Sequence, residues 1–252
     1  MKIGIIGKGV VGRAFGEYLS RDNDVAYYDK FQEENNFGVL KDTDYIFICT
    51  PTPMKEDGSA DIDSVKESLD RLDKFQKPKV IIKSTVPVGT TDYLSTEYNR
   101  NVTFSPEFLR ANYALEDIAN SDYMIYGIND SSQKQELIDL FPEKRNIFTT
   151  KEEAEMLKYA RNVILASQIA TANEIRNISE RLGVSYKNIG DLILLDERIG
   201  TNIQVPGPDG KTGFGGACFP KDMNSLIAQA KEAGYNPKLL KTIWEEYSRK
   251  DD

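Results

Sequence analysis

Three features predict an α/β chain in which a doubly wound, mostly parallel sheet is followed by an all-helical second domain. Short apolar runs alternate with amphipathic stretches through the first half, a glycine-rich turn separates the first run from the first helix, and the second half carries a long helical apolar period. At 252 residues and 40% apolar the chain can build two cores. The expected division is 1–150 and 151–252.

The first run, 2–6, is short, apolar and strand-like, and Gly7-Lys8-Gly9-Val10-Val11-Gly12 follows it at once and opens a helix to about position 20. A second strand, 25–28, ends at Asp29. Strand, glycine turn, helix and an acid some twenty residues on form the dinucleotide fingerprint of a Rossmann fold. Gly7 permits the turn, Gly9 lets a pyrophosphate approach the backbone, and Gly12 lets helix and strand pack. An acid at Asp29 hydrogen-bonds a ribose hydroxyl and repels a 2′-phosphate, which favours NAD over NADP.

Strands are then expected at 45–49, 80–83, 102–104, 123–126 and 147–148, and helices at 61–75, 90–98 and 132–141, the first capped by Asp61 or Asp63. In a parallel sheet, ligands gather at the strands' carboxyl ends. That rule puts three prolyl loops in the crevice: Thr50-Pro51-Thr52-Pro53, Ser84-Thr85-Val86-Pro87 and Ser105-Pro106-Glu107-Phe108. Cys49 ends a buried strand and reads as packing.

Two overlapping capping boxes, Thr149 with Glu152 and Thr150 with Glu153, open the second half. Leu157, Ala160, Ile164, Ile175, Ile178 and Leu182 then recur at helical spacing until Gly183. A rod of about 33 residues spans about 50 Å, more than one small domain needs. It is expected to pack against a copy of itself, so a homodimer through helix 151–182 is predicted. Lys158 and Asn162 lie four apart on one face. Further on, 213–222 reads Gly-Phe-Gly-Gly-Ala-Cys-Phe-Pro-Lys-Asp. Pro220 suits a first helical position, which places Cys218 just ahead of a helix N-terminus. The helix dipole and Lys221 favour a thiolate there, and Asp222 supplies a neighbouring base, so Cys218 is the candidate nucleophile.

Net charge is −8, from 32 basic and 40 acidic residues with no basic cluster, so neither nucleic acid nor an anionic membrane is an expected partner. No apolar run approaches a bilayer span, and no signal peptide is read at the N-terminus. Two cysteines in unlike contexts point to a cytoplasmic protein. Histidine is absent, which removes the commonest general base and metal ligand. No metal is expected, and redox chemistry must use Lys, Asp, Glu or Cys.

These residues together resemble the UDP-glucose 6-dehydrogenase family of nucleotide-sugar dehydrogenases. The likeness runs through GKGVVG at 7–12, TPTP at 50–53, KSTVPVGT at 83–90, SPEFLR at 105–110, Lys158 with Asn162, ERIG at 197–200 and GFGGACFPKD at 213–222. It implies a four-electron oxidation of the sugar's C6 alcohol to a carboxylate, with two NAD per turnover and a UDP-sugar as substrate. Cys218 would capture the aldehyde as a thiohemiacetal that becomes a thioester. Lys158 and Asn162 would stabilise the oxyanion, while Asp222, Thr85 and Glu107 would order or deprotonate water. Gly7, Gly9, Val10, Val11, Gly12, Asp29, Lys30, Thr50, Pro51, Thr52, Thr85 and Lys221 are the expected cofactor contacts. Phe108, Leu109, Arg110, Lys158, Asn162, Phe214 and Gly215 are the expected substrate contacts, with Arg198 reaching the neighbouring subunit's ligand.

Two departures from the family pattern stand out. A glutamate often found four positions after Glu107 is here Ala111, and the family's third, UDP-gripping domain is not read before Asp252. Slow or undetectable turnover of UDP-glucose by this chain alone is therefore expected. The alternatives are a UDP-N-acetylmannosamine or GDP-mannose dehydrogenase, a two-electron β-hydroxyacid dehydrogenase, which has no need of Cys218, or a non-catalytic NAD-binding partner of a full-length enzyme.

Overall fold

The structure, a computed structural model, describes residues 1–32, 36–75 and 77–249. It divides into two compact units. The first comprises Met1–Pro53 and Asp61–Lys158, and the second Met54–Ala60 and Tyr159–Asp252.

Among the described residues of the first unit, seven strands form one sheet: β1 (Lys2–Ile6), β2 (Asp24–Tyr28), β3 (Tyr45–Ile48), β4 (Lys79–Ile82), β5 (Val102–Phe104), β6 (Tyr123–Gly127) and β7 (Arg145–Thr149). The spatial order is β2-β1-β3-β4-β5-β6-β7, and the first five are parallel. β6 pairs antiparallel with β5 through Phe104 and Gly127, so β6 and β7 run the other way. Register decides where the chemistry lies. Ile6 is level with Tyr28 and Ile48, Ile48 with Ile82, and Ile82 with Phe104. Gly7, Asp29, Cys49, Lys83 and Ser105 therefore leave the sheet along one edge, and Gly7 and Cys49 flank the reversal of strand order between β1 and β3 where such folds bind ligands.

Alternation along the strands makes both faces apolar. Tyr45, Phe47 and Ile81 face α1 (Val10–Leu19) and α4 (Ala114–Asn120), packing with Phe15, Leu19 and Ile118. Ile46, Ile48, Val80 and Ile82 face α2 (Asp63–Leu72) and α3 (Thr90–Glu97) through Val65, Leu69 and Leu94. Helices on both faces are what doubly wound means.

Some expected boundaries moved. The helix expected at 132–141 is a 3₁₀ turn, Ser131–Gln133, running into the single turn α5 (Lys134–Ile138). Asp61 closes an Asx turn on the Asp63 N–H at 2.9 Å, so α2 starts two residues late. Ala111–Tyr113 and α4 form a helical connection that the pattern did not announce, because neither has a side-chain cap. Of the two capping boxes only Thr150 with Glu153 forms: the Thr150 N–H donates to Glu153 Oε2 (3.1 Å) and the Glu153 N–H to Thr150 Oγ1 (3.2 Å). The Thr149 hydroxyl also turns to Glu153 rather than to Glu152.

The long helix α6 (Lys151–Arg181) contributes to both units. Leu157, Ile164, Ile175, Ile178 and Leu182, whose period announced the helix, are exposed, Leu182 by 74%. Lys151, Glu155, Lys158 and Asn162, at i, i+4, i+7 and i+11, are buried. The buried face of the first three turns is thus a polar stripe flanked by Ala154, Tyr159 and Val163. In the second unit, α8 (Phe219–Glu232) and α9 (Lys238–Tyr247) pack Met223, Ile227, Leu240 and Trp244 against Val163, Ala166, Ala170 and Phe214. A smaller cluster joins α7 (Tyr186–Ile193) to Ala172 and Ile203. Among the described residues no helix is long and apolar enough to cross a membrane.

Candidate functional site

In the first unit the glycine turn is built by close approach. A Cβ on Gly12 would stand 1.9 Å from the Gly7 carbonyl oxygen, so no larger residue lets α1 start this close to β1. Asp29 reaches back to the turn, its Oδ2 accepting from the Lys8 N–H at 2.7 Å and its Oδ1 from the Phe31 N–H at 2.9 Å. Gly7, Asp29, Lys30, Thr50 and Pro51, five of the expected cofactor contacts, line one pocket with Tyr28. Thr50 Oγ1 is buried there without a hydrogen-bond partner among the described residues, and a Cβ on Gly9 would meet nothing within 4 Å. An acceptor for a ribose hydroxyl, an unsatisfied hydroxyl and a bare backbone approach fit a dinucleotide. Thr52 and Thr85 lie beside the pocket and hold one another: Thr52 Oγ1 donates to the Thr85 carbonyl at 2.8 Å. Lys30 pairs with Glu67 at 2.7 Å, and Val10 is exposed at the start of α1.

Beyond β5, Glu107 turns inward and meets Lys158. The Lys158 ammonium donates to Glu107 Oε1 at 2.8 Å and to the Glu107 carbonyl at 2.7 Å, with both side chains almost wholly covered. Burial by itself would raise the Glu107 carboxyl. The Lys158 charge, its hydrogen bond and the Leu109 N–H at 2.8 Å outweigh it and hold the group below the usual carboxylate range. Leu109 thereby spends the backbone donor expected for substrate. Phe108 lies near Lys158, whose ammonium is 5.8 Å from its ring centroid, and Arg110 is exposed and clamped by Asp117. At Cys49 desolvation pushes the thiol up to about 12, which agrees with a packing role. Sequence reasoning missed Lys83, which is 2% exposed and whose amine burial brings down to about 7. Its position, directly after the apolar strand β4 on the ligand edge, was the available signal.

In the second unit Cys218 is the exposed N-cap residue of α8. Phe219 takes the first helical position and Pro220 the second, one later than expected. Asp222, a turn on and fully buried, accepts from Asn162 Nδ2 at 2.6 Å and pairs with Lys221, while its N–H closes the first turn on the Cys218 carbonyl at 2.8 Å. Lys221, expected at the cofactor, is here engaged by Asp222. Gly213 (φ +73°) passes so near α9 that a Cβ would meet the Tyr247 carbonyl oxygen at 2.4 Å. Phe214 is 1% exposed, and its N–H and carbonyl are spent on Tyr247 and Arg249, so it anchors the glycine loop while Gly215 stays partly open. Arg198 is exposed and paired with Asp196. The turn 54–60, which follows the TPTP loop in sequence, belongs to this unit: Asn224 on α8 donates to Met54 Sδ at 3.1 Å and lies against Gly58.

Comparison with known proteins decides the lineage. Residues 25–144 match the NAD binding domain, and residues 152–246 the central domain, of one family. The chain belongs to the UDP-glucose/GDP-mannose dehydrogenase family. That family's NAD-binding domain is present in the chain. The UDP-glucose 6-dehydrogenase YwqF of Bacillus subtilis is 36% identical over 239 residues, covering 90% of this chain and 53% of that protein. The chain spans about half the length of the curated relatives it matches. A UDP-glucose dehydrogenase structure from Pyrobaculum islandicum superposes with a TM-score of 0.86 at 28% identity, over 97% of this chain and 67% of that one. A UDP-D-ManNAc dehydrogenase from Pyrococcus horikoshii gives the same TM-score at 22% identity, over 98% and 68%. A fold common to both leaves the sugar to be read from side chains.

Proposed function

We propose that this member of the NAD-dependent nucleotide-sugar dehydrogenases oxidises the C6 alcohol of UDP-glucose to the carboxylate through a covalent adduct on Cys218. The observation that carries the reading is the exposed thiol at the N-terminus of α8, with the buried Asp222 carboxylate one turn behind it, held by Asn162 and Lys221. The positive dipole end of that helix favours a thiolate.

Bound NAD supplies the hydride acceptor, two equivalents per product. Asp29 and the turn Gly7 to Gly12, with Lys30, Thr50, Pro51 and Thr52, would hold it. The balance is then complete: two hydrides leave C6, three protons are released and one water oxygen is gained. The Cys218 sulfur adds to the aldehyde carbon, giving a thiohemiacetal whose oxygen Lys158 and Asn162 stabilise. Loss of the second hydride leaves a thioester. Water ordered by Thr85, Glu107 and Asp222 attacks it, the C–S bond breaks and the thiolate returns. None of these steps requires histidine.

The exposed apolar row on α6, from Leu157 to Leu182, supports a homodimer through that helix. Sedimentation velocity should show a dimer that Leu182→Asp weakens; a monomeric wild type would sink this part of the reading.

The principal test is incubation with NAD and a panel of UDP- and GDP-sugars, with product mass and NADH counted. Two NADH per carboxylate from UDP-glucose are expected. Cys218→Ala should abolish carboxylate while NAD affinity stays near wild type, and carboxylate from that variant would refute the thioester route. Turnover of UDP-N-acetylmannosamine or GDP-mannose in place of UDP-glucose would keep the chemistry and change the substrate.

A further inference from the structure

We propose that Lys83 is a positioning residue for Glu107: anchored directly after β4, its amine ties down Ser105 and Pro106 and so fixes the backbone from which Glu107 reaches Lys158. The proposal rests on the reading of Glu107 as a group that handles water. Lys83 Nζ donates to Ser105 Oγ at 3.0 Å and to the Pro106 carbonyl at 3.3 Å, the two residues immediately before Glu107. The tie spans the carboxyl ends of adjacent parallel strands, since Ile82 is level with Phe104. A lysine this deeply buried is costly unless its donors are used, and here two are spent on one short loop.

Among the described residues, the charged, titratable and aromatic groups that act on the amine belong to the ligand edge of the sheet or to an element packed on it. The Phe15 ring of α1 has its centroid 4.0 Å away, and Cys49 after β3, Glu107 after β5 and Lys158 on α6 act on it electrostatically. Burial is the largest influence and brings the amine down to about 7, Cys49 and Glu107 oppose it, and Lys158 adds to it. Burial pushes the Cys49 thiol up to about 12, so its charge acts on Lys83 only at high pH; near 7 Glu107 is the anion of this group and Lys158 its ion-pair partner. A neutral amine still donates hydrogen bonds. The loop therefore stays tied as Lys83 titrates, while the field at Glu107 changes by one charge.

The test is a titration of the protein with ¹³C-labelled lysine, following side-chain shifts with pH in the wild type, Lys83→Arg and Glu107→Gln. One signal, absent from Lys83→Arg, should have its midpoint near 7 and move lower in Glu107→Gln, which has lost the anion. A midpoint indifferent to Glu107→Gln overturns the proposal. In turnover, Lys83→Arg keeps donors but no longer titrates, so the rate profile should lose its inflection near pH 7. Lys83→Met should lower kcat by about a hundredfold through misplacement of Glu107, with KM for the nucleotide sugar moving less than about threefold. Wild-type kcat in a folded Lys83→Met also overturns it. Should Lys83→Met fail to fold, Glu107→Gln and Lys83→Arg still decide the outcome. If the wild type shows no turnover, which is the outcome expected of this chain alone, the shift titration still tests the link between Lys83 and Glu107.

Discussion

Lys158 and Asn162 stand about one turn apart on α6 and serve two buried carboxylates that belong to different units. Glu107 is met by a full opposite charge and one backbone N–H. Asp222 is met by a neutral amide and by Lys221, its own neighbour in sequence, at the start of a helix. Both acids are withdrawn from water, but different groups compensate them. Where one lysine is the only ion-pair partner among the described residues, losing it leaves a backbone N–H and the field of Lys83; where an amide, an ammonium and a helix end share the task, losing one partner leaves the others.

The comparison is broken most directly by Lys158→Met, which leaves the Glu107 carboxylate buried without its cation. A loss of about 3–5 kcal/mol in urea unfolding is expected, and adding Glu107→Gln should restore part of it. A loss below about 1 kcal/mol would class the pair with exposed ion pairs. Asn162→Ala should cost less, about 1.5–3 kcal/mol, because Lys221 still pairs with Asp222. If it costs as much as Lys158→Met, the two acids are compensated alike and the contrast fails.

A third acid on the same stripe sharpens it further. Glu155 accepts from the N–H groups of Gly89 (2.6 Å) and Thr91 (2.8 Å) at the start of α3, and from the Thr91 hydroxyl (2.5 Å). Burial nevertheless pushes it up to about 6 from 4.5. Between those values the folded protein holds the proton more tightly than the unfolded chain. Stability from this group is therefore fully present below pH 4.5 and is lost as pH rises through 6. The change is about 2 kcal/mol at most. Unfolding of wild type and Glu155→Gln across that window should show the slope in the first and not in the second. Equal slopes would assign the pH dependence elsewhere.

Much of the first unit was legible because its signals are local. A glycine turn between strand and helix, an acid after β2 and strands of alternating burial each depend on neighbours a few residues away. The order of elements, the pocket residues Gly7, Asp29 and Thr50, and the cysteine at a helix start could all be read that way. The helical connection 111–120 was not, since it lacks cap residues, and neither was the return of 54–60 to the second unit, which depends on Asn224 far along the chain.

α6 marks the boundary between what the sequence determined and what the fold decided. Apolar spacing announced a long helix there, as periodicity must when every third or fourth residue shares a side. Which side turns inward was settled by the partners: the row from Leu157 to Leu182 stays exposed, while Lys151, Glu155, Lys158 and Asn162 are buried. Polar side chains take an interior face only where another element brings donors and acceptors to meet them. Thr91 with Asp92, Glu107 and Asp222 arrive from three separate places in the chain to do so. No local pattern in the helix carries that information.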